Sequence, residues 1–281
     1  MKTVALPAGE RVPAFGMGTW RIGDKAALRA EEIATLRLGI ELGATLIDTA
    51  EMYGEGAAES LIGEAIEGRR DGVFLVSKVY PHNATRRGAV AACERSLGRL
   101  KTDRLDLYLL HWRGSVPLAE TIEGFEALRK AGKIRHWGVS NLDLADMREL
   151  GSVPGSQTAG QAVQTDQLLY NLARRGIEWD LLPWLRERRI PVMAYSPLDE
   201  GRLLRNPKLA DFARRRGLSV SQAALAWLLA KDDVIVIPKT SSRERLRDNL
   251  GALDHGLDAA ALAELDRIFP PPEGPRPLEM I

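Results

Sequence analysis

Short apolar runs bounded by turn residues alternate along the chain with longer stretches whose apolar residues recur at helical spacing. The chain opens on a pattern read as a hairpin, VAL, then the turn PAGE, then RVPAF. Eight runs then read as strands: FGMGT (15–19), ATLID (44–48), VFLVSK (73–78), LDLYLLH (105–111), IRHWGVS (134–140), QAVQT (161–165), IPVMAYS (190–196) and VIVIP (234–238). Between them lie amphipathic stretches, EEIATLRLGIEL, ESLIGEAIEG, RRGAVAACERSLGRL, LAETIEGFEALRKAG, WDLLPWLRERR and SQAALAWLLAKD, many closed by the Gly, Lys or Arg of a helix C-terminus. Runs such as LDLYLLH are apolar almost throughout, as parallel strands are when helices cover one face and a barrel interior the other. Strand starts recur about every 30 residues, with a longer interval before the eighth, which predicts an α/β fold of the (β/α)₈ TIM-barrel kind, a doubly wound sheet being the rival. A last helix-like piece, DAAALAELDRIF, lies beyond the eighth unit, and the Pro-rich tail FPPPEGPRPLEMI is expected to lie across one end of the barrel. With no linker-like stretch to divide it, the chain reads as one domain over residues 1–281.

Composition narrows the function classes. Thirty-nine Lys+Arg against 38 Asp+Glu leave a formal charge of +1, so no global field draws the chain to nucleic acid or to an anionic membrane. A hydrophobic content of 45% with 27% charged residues suffices for a large core. One cysteine, Cys93, forms no internal disulfide, no run of 18 apolar residues is present, and no signal-peptide-length apolar run precedes Glu10 and Arg11. A cytoplasmic, monomeric protein with a small-molecule partner is expected.

In a barrel of this kind the βα-loops converge on one mouth, where catalytic residues gather at the carboxyl ends of strands. Four titratable side chains fall on that rim. The second strand ends in Asp48 and runs into AEMYGEG with Tyr53, the third ends in Lys78, and the fourth ends in His111. Singly, such an Asp is an ordinary helix cap, such a Lys a solvated amine, and such a His a structural side chain. Together they are harder to set aside, because the strands carrying Lys78 and His111 are otherwise apolar and an unpaired charge there is expensive. A phenol with a pKa of about 10 is a poor acid near neutrality unless a neighbouring cation favours its phenolate, and a lysine held by a carboxylate supplies that cation. On this reading Tyr53 donates a proton, Lys78 tunes it, Asp48 holds Lys78, and a neutral His111 orients a carbonyl oxygen beside the phenol. These side chains supply no hydride.

At these residues the chain resembles the aldo-keto reductase family. The motifs are LIDTAEMYGEGAAESLIGEAI (46–66), LVSKVYP (75–81), RLDLYLLHW (104–112), GKIRHWGVSN (132–141), MAYSPL (193–198) and IPKTSSRERLRDN (237–249), in order along nearly the whole chain. The resemblance implies a (β/α)₈ barrel that binds NADPH across its mouth without a Rossmann unit, with the family tetrad on Asp48, Tyr53, Lys78 and His111. It further implies that Ser140, Asn141 and Gln167 hydrogen-bond the nicotinamide amide while Tyr195 stacks on the ring. Ser196 and Leu198 would meet the pyrophosphate, Lys239, Thr240 and Arg245 the adenosine 2′-phosphate, and Asp248 and Asn249 would lie near adenine. Two cations and a hydroxyl within seven residues suit a phosphate, so NADPH is expected over NADH. Trp20, Tyr80 and Trp112 are placed as aromatic walls around the reacting carbonyl. Where the family commonly has Asn-Gln before a hydrophobic residue and Glu, this chain reads Asp166-Gln167-Leu168-Leu169, and Gln164 competes for the amide-binding role. Short segments after His111 and Ser196 imply an open site. The block KVYPHN with LLHWRGS is similar to bacterial short-loop members that reduce small aldehydes, among them 2-oxoaldehydes such as methylglyoxal.

Three rivals are weighed against this reading. GEG followed by AAE (54–59) mimics the start of a dinucleotide fingerprint, but Glu59 occupies the third glycine position. A metal-dependent barrel hydrolase would use Asp48 and His111, yet no His-x-His spacing exists and Lys78 would repel a cation. A regulatory protein that binds the nicotinamide cofactor and senses redox state with little turnover is the third.

Overall fold

The computed structural model describes residues 1–153 and 163–281. β1 (Thr3–Ala5) and β2 (Arg11–Pro13) pair antiparallel, Val4 opposite Val12, as the opening pattern predicts. Eight parallel strands follow: β3 (Gly16–Gly18), β4 (Leu46–Asp48), β5 (Phe74–Val79), β6 (Leu105–Leu110), β7 (Ile134–Ser140), β8 (Asp166–Leu169), β9 (Val192–Tyr195) and β10 (Val234–Val236). Each neighbours the next in chain order. The ring closes where Phe15 bridges Val236 and Gly18 N–H donates to the Pro238 carbonyl at 3.1 Å. A Cβ on Gly18 would lie 2.7 Å from the Ile237 carbonyl oxygen, so the seam needs glycine there. The fold is the expected (β/α)₈ barrel.

The helices are α1 (Arg29–Glu41), α2 (Ala57–Ala65), α3 (Arg86–Leu100), α4 (Leu118–Lys130), α5 (Leu144–Ser152), α6 (Leu181–Glu187), α7 (Pro207–Arg215), α8 (Val220–Leu229), α9 (Arg243–Gly251) and α10 (Ala259–Ile268). Local chemistry sets their starts: Thr85 accepts the Gly88 N–H ahead of α3, and Ser219 and Gln222 form a reciprocal capping box ahead of α8. All six positions of β5 and of β6 are buried, as strands with both faces covered require. The long interval before the eighth strand holds two helices, α7 and α8. No helix among the described residues is long and apolar enough to cross a membrane.

The sixth strand departs from the sequence expectation of 161–165. Residues 161 and 162 lie outside the described residues, and the paired strand is Asp166–Leu169, register-matched to β7 and β9. Two polar residues open it and mask it as a strand. Gln167 is nonetheless buried, because its amide bonds inside the barrel.

The hairpin covers the end where the strands begin: Ala8 N–H donates to Gln164 Oε1, and Glu10 pairs with Arg135 and His136 at the start of β7. The opposite end, where the strands finish, is the mouth. The C-terminal tail runs back toward it, with Arg175 bonding the Phe269 carbonyl, Arg174 pairing with Glu279 at 2.6 Å, and the Ile281 N–H reaching the Tyr195 hydroxyl.

Candidate active site

Asp48 closes β4 and is buried, its carbonyl accepting the Thr19 hydroxyl. Lys78 reaches it from the neighbouring strand β5, fully buried. The Lys78 Nζ lies 2.8 Å from each Asp48 carboxyl oxygen, 2.8 Å from the Thr49 carbonyl and 3.3 Å from the Tyr53 hydroxyl. Three donor hydrogens meet three partner residues, so the charge is fully engaged. Tyr53 stands in a turn after β4 that Gly54 and Gly56 enter with φ of 56° and 93°. His111, directly after β6, meets the Tyr53 ring edge-on at 5.8 Å. The four residues expected on one rim therefore meet in one cluster.

Electrostatics of the cluster differ from the sequence expectation in one respect. Burial, and then the Asp48 carboxylate, push the Tyr53 phenol well above its ordinary range, where the sequence reading expected Lys78 to draw it down. It waits as a neutral acid. Burial also pulls the Lys78 ammonium down, opposed by Asp48. For His111, burial and then Lys78 lower the pKa to about 2, so the imidazole is neutral as expected. Its Nδ1 is buried with no partner among the described residues.

A second set of side chains is tied to this cluster through hydrogen bonds. Gln167 Nε2 donates to Asp48 Oδ1 at 2.7 Å and touches the Met193 sulfur at 2.9 Å. The Gln167 carbonyl accepts the Ser140 hydroxyl at 2.8 Å. Asn141 donates to the His111 carbonyl and to Ser140 Oγ, both at 3.1 Å, and accepts the Tyr195 hydroxyl at 2.9 Å. Gln164 instead faces the hairpin end, which removes it as a rival to Gln167. Four non-glycine residues on this rim, Asn141, Ser196, Asp199 and Glu200, hold positive φ between 46° and 56°. Such conformations persist where surroundings over-determine them, and they gather at binding sites.

Farther round the mouth, Ser196 opens the turn after β9 and its carbonyl accepts Asn171 Nδ2, with Leu198 half-buried two residues on. Lys239 Nζ donates to Ser241 Oγ, and the Thr240 hydroxyl oxygen accepts the Ser242 N–H. Arg245 is exposed in the first turn of α9 and forms no ion pair among the described residues, whereas Arg243 is paired with Glu31. Cations at a helix N-terminus, where backbone N–H groups also point outward, are the donor set an anionic phosphate needs. Asp248 is engaged elsewhere, accepting the Ser219 and Ser221 hydroxyls at the start of α8, and Asn249 is buried.

The aromatic residues divide. Trp112 lies tilted against His111, ring centroids 4.9 Å apart, and meets Tyr80 edge-on at 5.8 Å, so these two wall the cluster. Trp20 stands past the end of β3, partly exposed, with the Arg21 guanidinium 4.2 Å over its ring.

Residues 14–269 match the Aldo/keto reductase family. The chain belongs to that family. It is 49% identical to the methylglyoxal reductase YeaE of Escherichia coli K12, covering 100% of this chain and 99% of that protein. It is 31% identical to a glyoxal reductase of Bacillus subtilis, covering 99% and 97%. An aldo/keto reductase from Klebsiella pneumoniae, crystallised with NADP and acetate, superposes with a TM-score of 0.95 at 49% identity over 100% of this chain and 99% of that one. A second structure from that organism, in complex with NADPH, matches equally well.

Within this family frame, several members of the site escaped the sequence reading. Thr49 supplies only a carbonyl, which no side-chain pattern reveals. Glu51 is buried and accepts the Tyr80 N–H and Asn83 Nδ2, holding the loop that presents Tyr80. Its signal was a carboxylate three residues after a strand end. Arg21 adjoined a named tryptophan, and its charge bears on Lys239.

Proposed function

We propose that the protein is an NADPH-dependent reductase of small aldehydes and ketones, with 2-oxoaldehydes such as methylglyoxal as its substrate class and alcohols as products. One observation carries the reading: a neutral phenol, Tyr53, is held 3.3 Å from a buried ammonium, Lys78, on the rim that also bears the amide-bonding set of Ser140, Asn141 and Gln167. The donor set fits the cofactor at both ends, with amide and hydroxyl partners beside the tetrad and Lys239, Thr240 and Arg245 at the start of α9. NADPH, when bound, supplies the hydride to the carbonyl carbon.

The chain supplies the rest. Lys78 donates to the oxygen of Tyr53, which leaves the phenolic hydrogen for a carbonyl oxygen. As Tyr53 gives that proton up, Lys78 stands ready to stabilise the phenolate, and Asp48 keeps Lys78 charged. Solvent then returns one proton to Tyr53. Neutral His111 carries one N–H and orients the carbonyl oxygen. Tyr195 forms the stacking surface, and Tyr80, Trp112 and Trp20 wall the open mouth. Likeness to a methylglyoxal reductase and a glyoxal reductase supports the substrate class. A cytoplasmic location and a monomeric state complete the proposal; the single cysteine, Cys93, is buried and free, with no partner in the chain for a disulfide.

The test mixes purified protein with NADPH and a panel of small aldehydes, following loss of reduced-nicotinamide absorbance before and after chelator treatment. Oxidation indifferent to the chelator is expected. Tight NADPH binding without turnover on any carbonyl would replace this reading with the regulatory one.

A further inference from the structure

Glu51 takes no part in the proposed chemistry, yet it is buried in the turn between Asp48 and Tyr53. Its backbone N–H donates to the Lys78 carbonyl at 3.3 Å, which fixes it beside the end of β5. From there one carboxyl oxygen accepts two donors of the loop that follows, the Tyr80 N–H at 2.8 Å and Asn83 Nδ2 at 3.0 Å. The other oxygen lies 3.6 Å from Arg95 Nη2 on α3. The loop adds a bond of its own, from the Asn83 N–H to the Tyr80 carbonyl at 3.0 Å. Losing such an acceptor leaves its donors unpaired.

This loop is also interlocked with the one after β6. A Cβ added to Gly114 would lie 2.5 Å from Pro81 Cβ, so the backbone beyond Trp112 runs flush against the residue after Tyr80. The Tyr80 ring meets Trp112 edge-on, and Trp112 lies against His111. A line of contact therefore runs from Glu51 through Tyr80 and Trp112 to the imidazole proposed to hold the carbonyl oxygen.

We infer that Glu51 is a positioning residue for substrate selection, its carboxyl clamping the Tyr80–Asn83 loop to the Tyr53 turn and so setting the distance between the acid and the aromatic wall that receives the substituent of the carbonyl substrate. The inference rests on the reductase reading above. An aromatic wall discriminates by the apolar area it covers, so its displacement penalises a bulky substituent more than a methyl group. The partners of the clamp are Lys78, Tyr80, Asn83 and Arg95, none of them in the set assigned to NADPH.

The experiment measures kcat and KM for methylglyoxal and for phenylglyoxal, with equilibrium binding of NADPH, in the wild type, in Glu51→Ala, Glu51→Gln and Tyr80→Ala, and in the double variant that joins Glu51→Ala to Tyr80→Ala. Glu51→Ala should raise KM about threefold for methylglyoxal and about tenfold or more for phenylglyoxal, with kcat and NADPH affinity within about threefold. Glu51→Gln keeps an acceptor and should restore both KM values. In the Tyr80→Ala background, removing Glu51 should change neither KM further, as for residues that act as one unit. Glu51→Leu, which fills the space without an acceptor, takes the place of Glu51→Ala where that variant does not fold. An unchanged ratio of kcat/KM between the two aldehydes would overturn the inference. So would NADPH affinity falling in step with kcat/KM, a glutamine variant as poor as alanine, or single-variant losses that multiply in the double variant. Wild-type protein that turns over neither aldehyde would instead overturn the reductase reading itself.

Discussion

On the proposed mechanism, Tyr53 is the residue on which turnover should depend and cofactor binding should not. Its hydroxyl is the proposed acid, while its ring meets His111 edge-on and has the Lys78 ammonium 5.0 Å from its centroid, contacts that phenylalanine keeps. Tyr53→Phe should keep NADPH affinity, read by fluorescence titration, and lose about 10²–10⁴-fold in kcat, the usual worth of a positioned acid. Equal losses in both would contradict the role. At the other end of the mouth, Arg245→Ala should weaken NADPH by about 10–100-fold, the worth of a charge-assisted bond, and leave NADH unchanged. An unaltered preference between the two cofactors would remove Arg245 from the phosphate site. The tetrad was legible in the sequence because Asp48, Lys78 and His111 each interrupt an apolar strand at its end, and a buried charge needs a reason. Gln167 was harder to place. Its polarity broke the run that would have marked β8, and the partner that makes its burial tolerable, Asp48, is 119 positions away. The direction in which the Tyr53 phenol is shifted was misjudged for a related reason: sequence shows which charges neighbour a phenol, whereas the depth of burial, the larger effect, appears only in three dimensions.

Among the elements, α2 and α3 carry a stabilising contact that also bears on the site. Glu59 on α2 is fully buried, accepts the Ser77 hydroxyl of β5 at 2.6 Å, and pairs with Arg99 of α3 at 2.6 Å. The Arg99 stem passes so close to Gly56 that an added Cβ there would meet its Cδ at 2.4 Å, in the turn that carries Tyr53. Glu59→Ala leaves both partners without their acceptor and should cost about 3 kcal/mol, measured by urea unfolding, a value at the low end for a broken buried pair because Arg99 can reach water. Release of Arg99 beneath the Tyr53 turn should also lower kcat by more than NADPH affinity. Preserved stability in that variant would show the pair to be dispensable. The same residue explains why GEGAAE is no dinucleotide fingerprint: its third position is a structural acid. Helices α5 and α7 went unnamed in the sequence because their buried stripes are thin, Met147 and Leu150 on one and Leu209, Phe212 and Ala213 on the other. The hairpin and the eight-unit rhythm were legible because turn residues and long apolar runs mark them locally.

For the molecule as a whole, two buried groups, His111 and Asp166, make opposite demands on stability in weak acid. His111 has a folded-state pKa of about 2 against 6.5 for the free side chain, so between those values the unfolded chain binds a proton that the fold refuses. Stability from this source falls as pH falls below 6.5. Asp166 behaves in reverse. Its folded-state pKa stands well above 3.8, so from about pH 4 upward the fold keeps a proton that the unfolded chain releases, and stability falls as pH rises. The two effects oppose one another above about pH 4, the carboxyl acting for as long as it keeps its proton in the fold. Urea unfolding from about pH 4 upward should give a shallower profile for the wild type than for a variant lacking either group. Asp166→Asn should uncover the His111 slope, with stability dropping as the solution is acidified. His111→Asn should uncover the opposite slope, with stability dropping as pH rises. An Asp166→Asn profile parallel to the wild type would mean that the carboxyl is ionised inside the fold.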